Sequence, residues 1–180
     1  MRWIKLALAL FAAKFRHKIS ATETTRVDFR VWVTDIDVTV MNHAAMMTVF
    51  EMGRIDYMVR TGFFRIATKN KCYFPNQAIT VQFYRPLKMF QKEEVYTRMS
   101  FIDEKLFYVE QKIMRHGKPI AACFANGMAK NGRETVPTAD IIKALDYDPA
   151  TLSFETHPLV TTSQTQNDAM TERIINGWKV

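Results

Sequence analysis

Asp35 and Asp37 close an alternating stretch of the chain, and Asn42 and His43 open a stretch of helical period shortly after it. A carboxylate placed ahead of a helix N-terminus is a hydrolytic arrangement. The acid serves as general base or nucleophile, while free N–H groups at the positive end of the helix dipole polarise a carbonyl. Asp37 fits the first role and the N–H groups around Met41–His43 fit the second. Asp37 fits a helix cap as well. Asp35 reads as a turn residue or strand-end charge, and Asn42 as a helix cap first and a substrate contact second. His43 either assists proton transfer or simply caps the helix. Glu51, two turns into the helix, is a rival carboxylate, although Arg54 three residues on offers it an ion pair.

The elements that must hold these residues are legible from periodicity. Arg26–Val33 alternates, with Val27, Phe29, Val31 and Val33 on one face, as in a half-buried strand. From Asn42 or His43 a helix runs to about Arg60, with Gly62 as its stop. Its apolar residues go almost all the way round, so it is buried. Met46, Met47 and Phe50 make a deformable apolar wall along it, equally well explained as core. Strands follow at Gln77–Tyr84 (Ile79, Val81 and Phe83 inward), Glu94–Ile102, Leu106–Met114 and Pro119–Ala129. Turns at Asp103–Lys105 and His116–Lys118 make this an antiparallel meander. A short helix is expected at Ala139–Leu145, then a polar tail with a last helix at Asp168–Ile175. One strand, one buried helix and a meander form an α+β plan in which the sheet curls around the helix.

With 180 residues, one domain is expected. Its divisions are an amphipathic helix over 1–20, the domain proper over 21–146 and an extension over 147–180. The net charge of +7 favours anionic partners, but the basic residues are scattered and no nucleic-acid-binding pattern accompanies them, so nucleic acid is set aside. Cys72 and Cys123 are far apart with no CxxC spacing, which fits two reduced thiols, a cytoplasmic setting and no metal site. In residues 1–20 the apolar run Leu6–Ala13 is too short to span a bilayer. Lys14, Arg16, His17 and Lys18 stand where a cleaved leader would carry small residues. Ile4, Leu8, Phe11 and Phe15 form one helical stripe with Arg2, Lys5 and Arg16 opposite. Such a helix packs on its own domain or lies on an anionic membrane surface.

Strand, Asp-x-Asp, helix and meander, over roughly Arg26–Leu145, resemble the hot-dog fold acyl-CoA thioesterases. The resemblance is to the 4-hydroxybenzoyl-CoA thioesterase-like superfamily and, within it, to the thioesterase-superfamily-member-six-like branch. Val33–Asp37, Met41-Asn42 and Glu51–Arg54 carry it, with weaker support from Phe83–Leu87 and Phe107–Gln111. One departure lies at the site. The family stretch His-Met-Asn-Asn is here Val40-Met-Asn-His43, one residue closer to the acid, with His43 at the second Asn and Met46 where a Tyr is usual. The resemblance implies an acyl-CoA thioesterase with Asp37 at the catalytic acid position. It implies no cofactor beyond the coenzyme A of the substrate, and a homodimer or tetramer. Coenzyme A phosphates would meet Arg85 and Lys88, with Lys92 nearby. The competing expectations are a non-catalytic hot-dog domain that binds acyl-CoA or lipid at a membrane, and a hydratase.

Overall fold

The structure, a computed structural model, describes residues 2–145, 147 and 158–172. Helix α1 (Arg2–Lys14) leads into strand β1 (Thr25–Arg30), a 3₁₀ turn at Val33–Asp35 and the central helix α2 (His43–Thr61). A short helix α3 (Phe63–Lys69) precedes strands β2 (Asn76–Phe83), β3 (Lys92–Ile102), β4 (Phe107–Arg115) and β5 (Lys118–Gly127). A small hairpin of β6 (Ala129–Asn131) and β7 (Glu134–Val136), then α4 (Thr138–Ala144) and α5 (Pro158–Met170), complete the described chain.

The five long strands form one antiparallel sheet in the order β1-β3-β4-β5-β2, with α2 against its inner face. This is the α+β hot-dog architecture that the sequence resemblance implies. Helix α2 begins at the expected cap: Asn42 has extended backbone and its side-chain oxygen accepts the N–H of Ala45 at 2.7 Å. It ends at Gly62, whose φ of 91° is the left-handed conformation that glycine adopts at low cost.

A tier of polar residues crosses the interior at mid-height. Thr97 and Gln111 face each other across β3 and β4. Gln111 Nε2 donates to Thr97 Oγ1 and to the carbonyl of Phe50 on α2, both at 2.8 Å. Its Oε1 accepts Arg54 Nη1 at 2.6 Å. Gly53 rides directly above this tier, and a Cβ there would come within 2.7 Å of Thr97 Oγ1. On one side of the tier lie Val31, Met46, Phe50, Val95 and Ile113. On the other lie Tyr57, Phe63, Met99, Phe107 and Ile141.

Several expectations need correction. Strand β1 stops at Arg30, not Val33, because Val31 pairs with the loop before β3 (Val31 N–H to Gln91 at 3.0 Å) and the chain then tightens into the 3₁₀ turn. Ile79 and Phe83 share the inner face with Val81, opposite Ala125 and Ala121, as expected, but stay partly exposed because β2 is the sheet's edge. The alternation of β3 breaks at a bulge between Met99 and Phe101, which turns Phe101 to the outer face beside Tyr108. The last helix starts at Pro158, ten residues before the expected Asp168, and the end of that expected helix lies outside the described residues. There Val160 packs on Tyr108 and Phe124, and Ser163 Oγ accepts Asn126 Nδ2 at 3.1 Å.

Helix α1 packs against α2 with its apolar stripe turned away from the domain. Leu6 and Ala13 face the domain, whereas Ile4, Leu8, Phe11 and Phe15 point outward. Buried acids set the choice. Lys5 binds both carboxylate oxygens of Asp35, and Arg16 Nη1 lies 2.8 Å from Asp56 Oδ1, itself paired with Arg60. A buried carboxylate left without a partner costs more than an exposed apolar side chain.

Candidate active site

Asp37 sits at the tip of a tight loop closed by a bridge between Ile36 and Met41, with its own N–H donating to the Val40 carbonyl at 3.2 Å. Its carboxylate is exposed and accepts the side-chain amide of Asn42 at 3.2 Å. Asn42 therefore uses one end to cap α2 and the other to hold Asp37 beside the helix start.

Where the free N–H groups lie differs from expectation. Met41 N–H donates to the Leu87 carbonyl and Asn42 N–H to the Asp35 carbonyl, each at 2.8 Å, so both are spent closing the loop. The N–H groups of His43 and Ala44, in the first turn of α2, have no partner among the described residues. Of the expected stretch Met41–His43, His43 keeps its N–H for a carbonyl at this junction, and Ala44 adds one just beyond it. The exposed His43 ring lies on Phe83, with centroids 4.4 Å apart, and this joins the end of β2 to the helix start.

The second acid of the pair is spoken for. Asp35 is buried, bound by Lys5, and accepts the Trp32 N–H at 3.0 Å. It is a structural anchor for the loop. Met41, Met46 and Phe50 are core residues on the loop side of the polar tier, and Met47 is partly buried against them. The stretch Arg85–Lys88 runs beside Met41 through the Leu87 bond. Arg85 is exposed and donates to the Pro119 carbonyl at 2.6 Å, and Lys88 is exposed.

Glu51 is not at this junction. It lines a separate cavity of about 190 Å³ between α2 and the ends of β4 and β5, with Arg54, Met58, Phe74, Phe107 and Asn126. Burial pushes the Arg54 guanidinium below its ordinary range, while nearby Cys123 and Glu51 act against the shift. Burial also pushes the Cys123 thiol up to about 11, with the nearby Arg54 guanidinium acting against the shift. A larger cleft of about 520 Å³ lies under α5 on the outer face of the sheet, and none of Asp37, Asn42 or His43 lines it. Among the described residues no cluster of His, Cys, Asp and Glu could hold a metal ion.

Sequence reasoning missed Lys5 as the partner of Asp35 and the Gly53–Thr97–Gln111 contact. A glycine inside a helix interior, where it costs about 1 kcal/mol relative to alanine, was the available signal for the second.

Residues 31–144 match the thioesterase-like superfamily. The chain belongs to that superfamily. A relative of this thioesterase-like chain, Protein THEM6 of Drosophila melanogaster, is 20% identical over 152 residues, covering 83% of this chain and 76% of that one. The structure named Probable Thioesterase from Bartonella henselae is 25% identical with a TM-score of 0.58, covering 64% of this chain and 97% of that one. The 1,4-dihydroxy-2-naphthoyl-CoA thioesterase from Synechocystis shares the fold at 12% identity and a TM-score of 0.59, over 68% of this chain and 95% of that one.

Proposed function

We propose that this chain hydrolyses the thioester of an acyl-coenzyme A at the Asp37–α2 junction. The observation that carries this reading is the Asp37 carboxylate tied by Asn42 to a helix start whose His43 and Ala44 N–H groups are unpartnered among the described residues. The thioester carbonyl accepts from those N–H groups, and Asp37 takes a proton from water as it adds to the carbonyl carbon. Collapse of the tetrahedral adduct breaks the C–S bond, and the proton passes to the departing coenzyme A sulfur. The same position also suits Asp37 as a nucleophile, through an anhydride that water then opens. Asn42 is a positioning residue, and His43 is placed to relay protons at the loop. Arg85 and Lys88, exposed beside the loop, suit the phosphates of coenzyme A.

In the single chain Asp37 is open to water, and β2 is an edge strand with Ile79 and Phe83 exposed. Pairing of β2 with a second copy covers both, so the working unit is a homodimer or a pair of dimers. Supporting the reaction class are the superfamily match and the thioesterases of the same fold.

A second reading has its own observation: Glu51 lines an apolar-walled cavity beside Arg54, a placement that also suits a catalytic carboxylate. Hydrolysis of an acyl-CoA panel by Asp37→Asn and Glu51→Gln separates the two. Asp37→Asn is expected to lose about 10²-fold or more in kcat. Retention of rate by Asp37→Asn with collapse of Glu51→Gln moves the chemistry to the helix. Saturable binding without turnover by the parent protein leaves a non-catalytic acyl-CoA or lipid binder.

A further inference from the structure

The packing of α1 leaves a large apolar face uncovered. Trp3 is 77% exposed, Ile4 60%, Leu8 63%, Phe11 61% and Phe15 77%. Phe11 and Phe15 contact each other edge to face at 4.9 Å. The face continues onto the body of the domain. Leu8 and Trp32 line the same groove between α1 and the end of β1, and Trp32, 53% exposed, meets the exposed Phe90 ring at 6.5 Å. Phe90 is held at φ 66°, a region that bulky side chains rarely occupy. The bond from its N–H to the Val31 carbonyl at 2.9 Å fixes it there with its ring outward. Backbone strain kept at an exposed aromatic residue points to use of that ring.

Charge selects the partner. Residues 2–18 contain five lysines and arginines and no acid. Lys5 and Arg16 are turned inward onto Asp35 and Asp56, which leaves Lys14 and Lys18 exposed at the end of the apolar stripe. Arg30, Lys88 and Lys92 are exposed around Phe90. An aromatic and aliphatic stripe bordered by lysines matches the boundary between anionic head groups and acyl chains. We infer that the α1 stripe, continued by Trp32 and Phe90, docks this domain on an anionic lipid bilayer, with α1 lying in the plane of the interface. The ion pair between Lys5 and Asp35 then fixes the Asp37 loop relative to the bilayer.

Co-sedimentation of the full chain with phosphatidylcholine vesicles, with and without phosphatidylserine, tests this. The parent protein should bind the anionic vesicles and be released by salt. Phe11→Ser with Phe15→Ser should weaken binding by roughly tenfold or more, and Lys14→Gln with Lys18→Gln by roughly thirtyfold. All four residues are exposed, so circular dichroism and hydrolysis of a water-soluble short-chain acyl-CoA should be unchanged. A parent protein that stays in the supernatant with anionic vesicles overturns the inference, as does a Phe11/Phe15 variant that sediments as fully as the parent. So does light scattering in which the parent forms a larger species without lipid that the Phe11/Phe15 variant does not, since the stripe would then be a contact between chains. Failure of hydrolysis with retained vesicle binding would count against the thioesterase reading alone.

Discussion

Asn42 donates through its side-chain amide to Asp37 at 3.2 Å while its carbonyl oxygen caps α2 on the N–H of Ala45. The two ends of this side chain have separable consequences. Asn42→Ser keeps a capping oxygen but removes the donor to Asp37, so unfolding free energy should change by only a few tenths of a kcal/mol. The rate of acyl-CoA hydrolysis should fall about tenfold in kcat with KM little changed. Asn42→Ala should lose both the rate and about 1 kcal/mol of stability. Equal stability loss in the two variants, with rate preserved, would reduce Asn42 to a cap.

The pair between Lys5 and Asp35 should behave as a buried anchor. Lys5→Met leaves a buried carboxylate, and because Lys5 is 23% exposed the cost should be about 1–3 kcal/mol, below that of a fully buried pair. Adding Asp35→Asn should restore much of it. Urea unfolding of the four proteins of this double-mutant cycle gives the coupling, and additive losses would show that the pair is not coupled.

Gly53→Ala sets helix propensity against space. Alanine favours the helix by about 1 kcal/mol. Its Cβ, however, would meet Thr97 Oγ1 at 2.7 Å, Gln111 Nε2 at 3.0 Å and Val95 Cγ2 at 3.2 Å. The clash should win, with net destabilisation of about 1–3 kcal/mol by thermal or urea unfolding. A stabilised variant would mean that α2 can lift from the sheet freely.

Glu93 should make stability fall between weakly acidic and neutral pH. Burial raises its carboxyl from 4.5 to about 7, with Arg115 opposing the shift from 3.6 Å. The folded protein therefore binds this proton more tightly than the unfolded chain. The contribution is complete below about 4.5 and is lost as pH rises through about 7. Glu93→Gln should remove this slope and gain roughly 2 kcal/mol over the parent at pH 8 relative to pH 5. Parallel stability profiles for the two proteins would count against it.

The order of long elements was readable because their periods are strong. The run from Val95 to Met99, with its partners Val109 to Ile113, alternates, and Asn42 and Gly62 bracket α2 with cap chemistry. Met41 and Asn42 were wrongly included with His43 among the free N–H groups because hydrogen bonds from Met41 to Leu87 and from Asn42 to Asp35 join segments distant or folded back in sequence, which periodicity does not encode. Which face of α1 meets the domain was left open for the same reason. An amphipathic pattern ranks faces by hydrophobicity, whereas α1 is oriented by Asp35 and Asp56, two acids that no local window connects to Lys5 and Arg16. The glycine of α2 is the reverse case: its signal was local and its meaning tertiary.

The tier of Gly53, Thr97 and Gln111 lies between two hydrophobic clusters of the interior. Such a boundary is a natural seam for partial opening. Amide hydrogens around Phe50, Val95 and Ile113 should exchange as one cooperative group, and those around Phe63, Phe107 and Ile141 as another. The compartment built by the short helices α3 and α4 should open first, leaving the Asp37 junction intact while the far end of α2 frays.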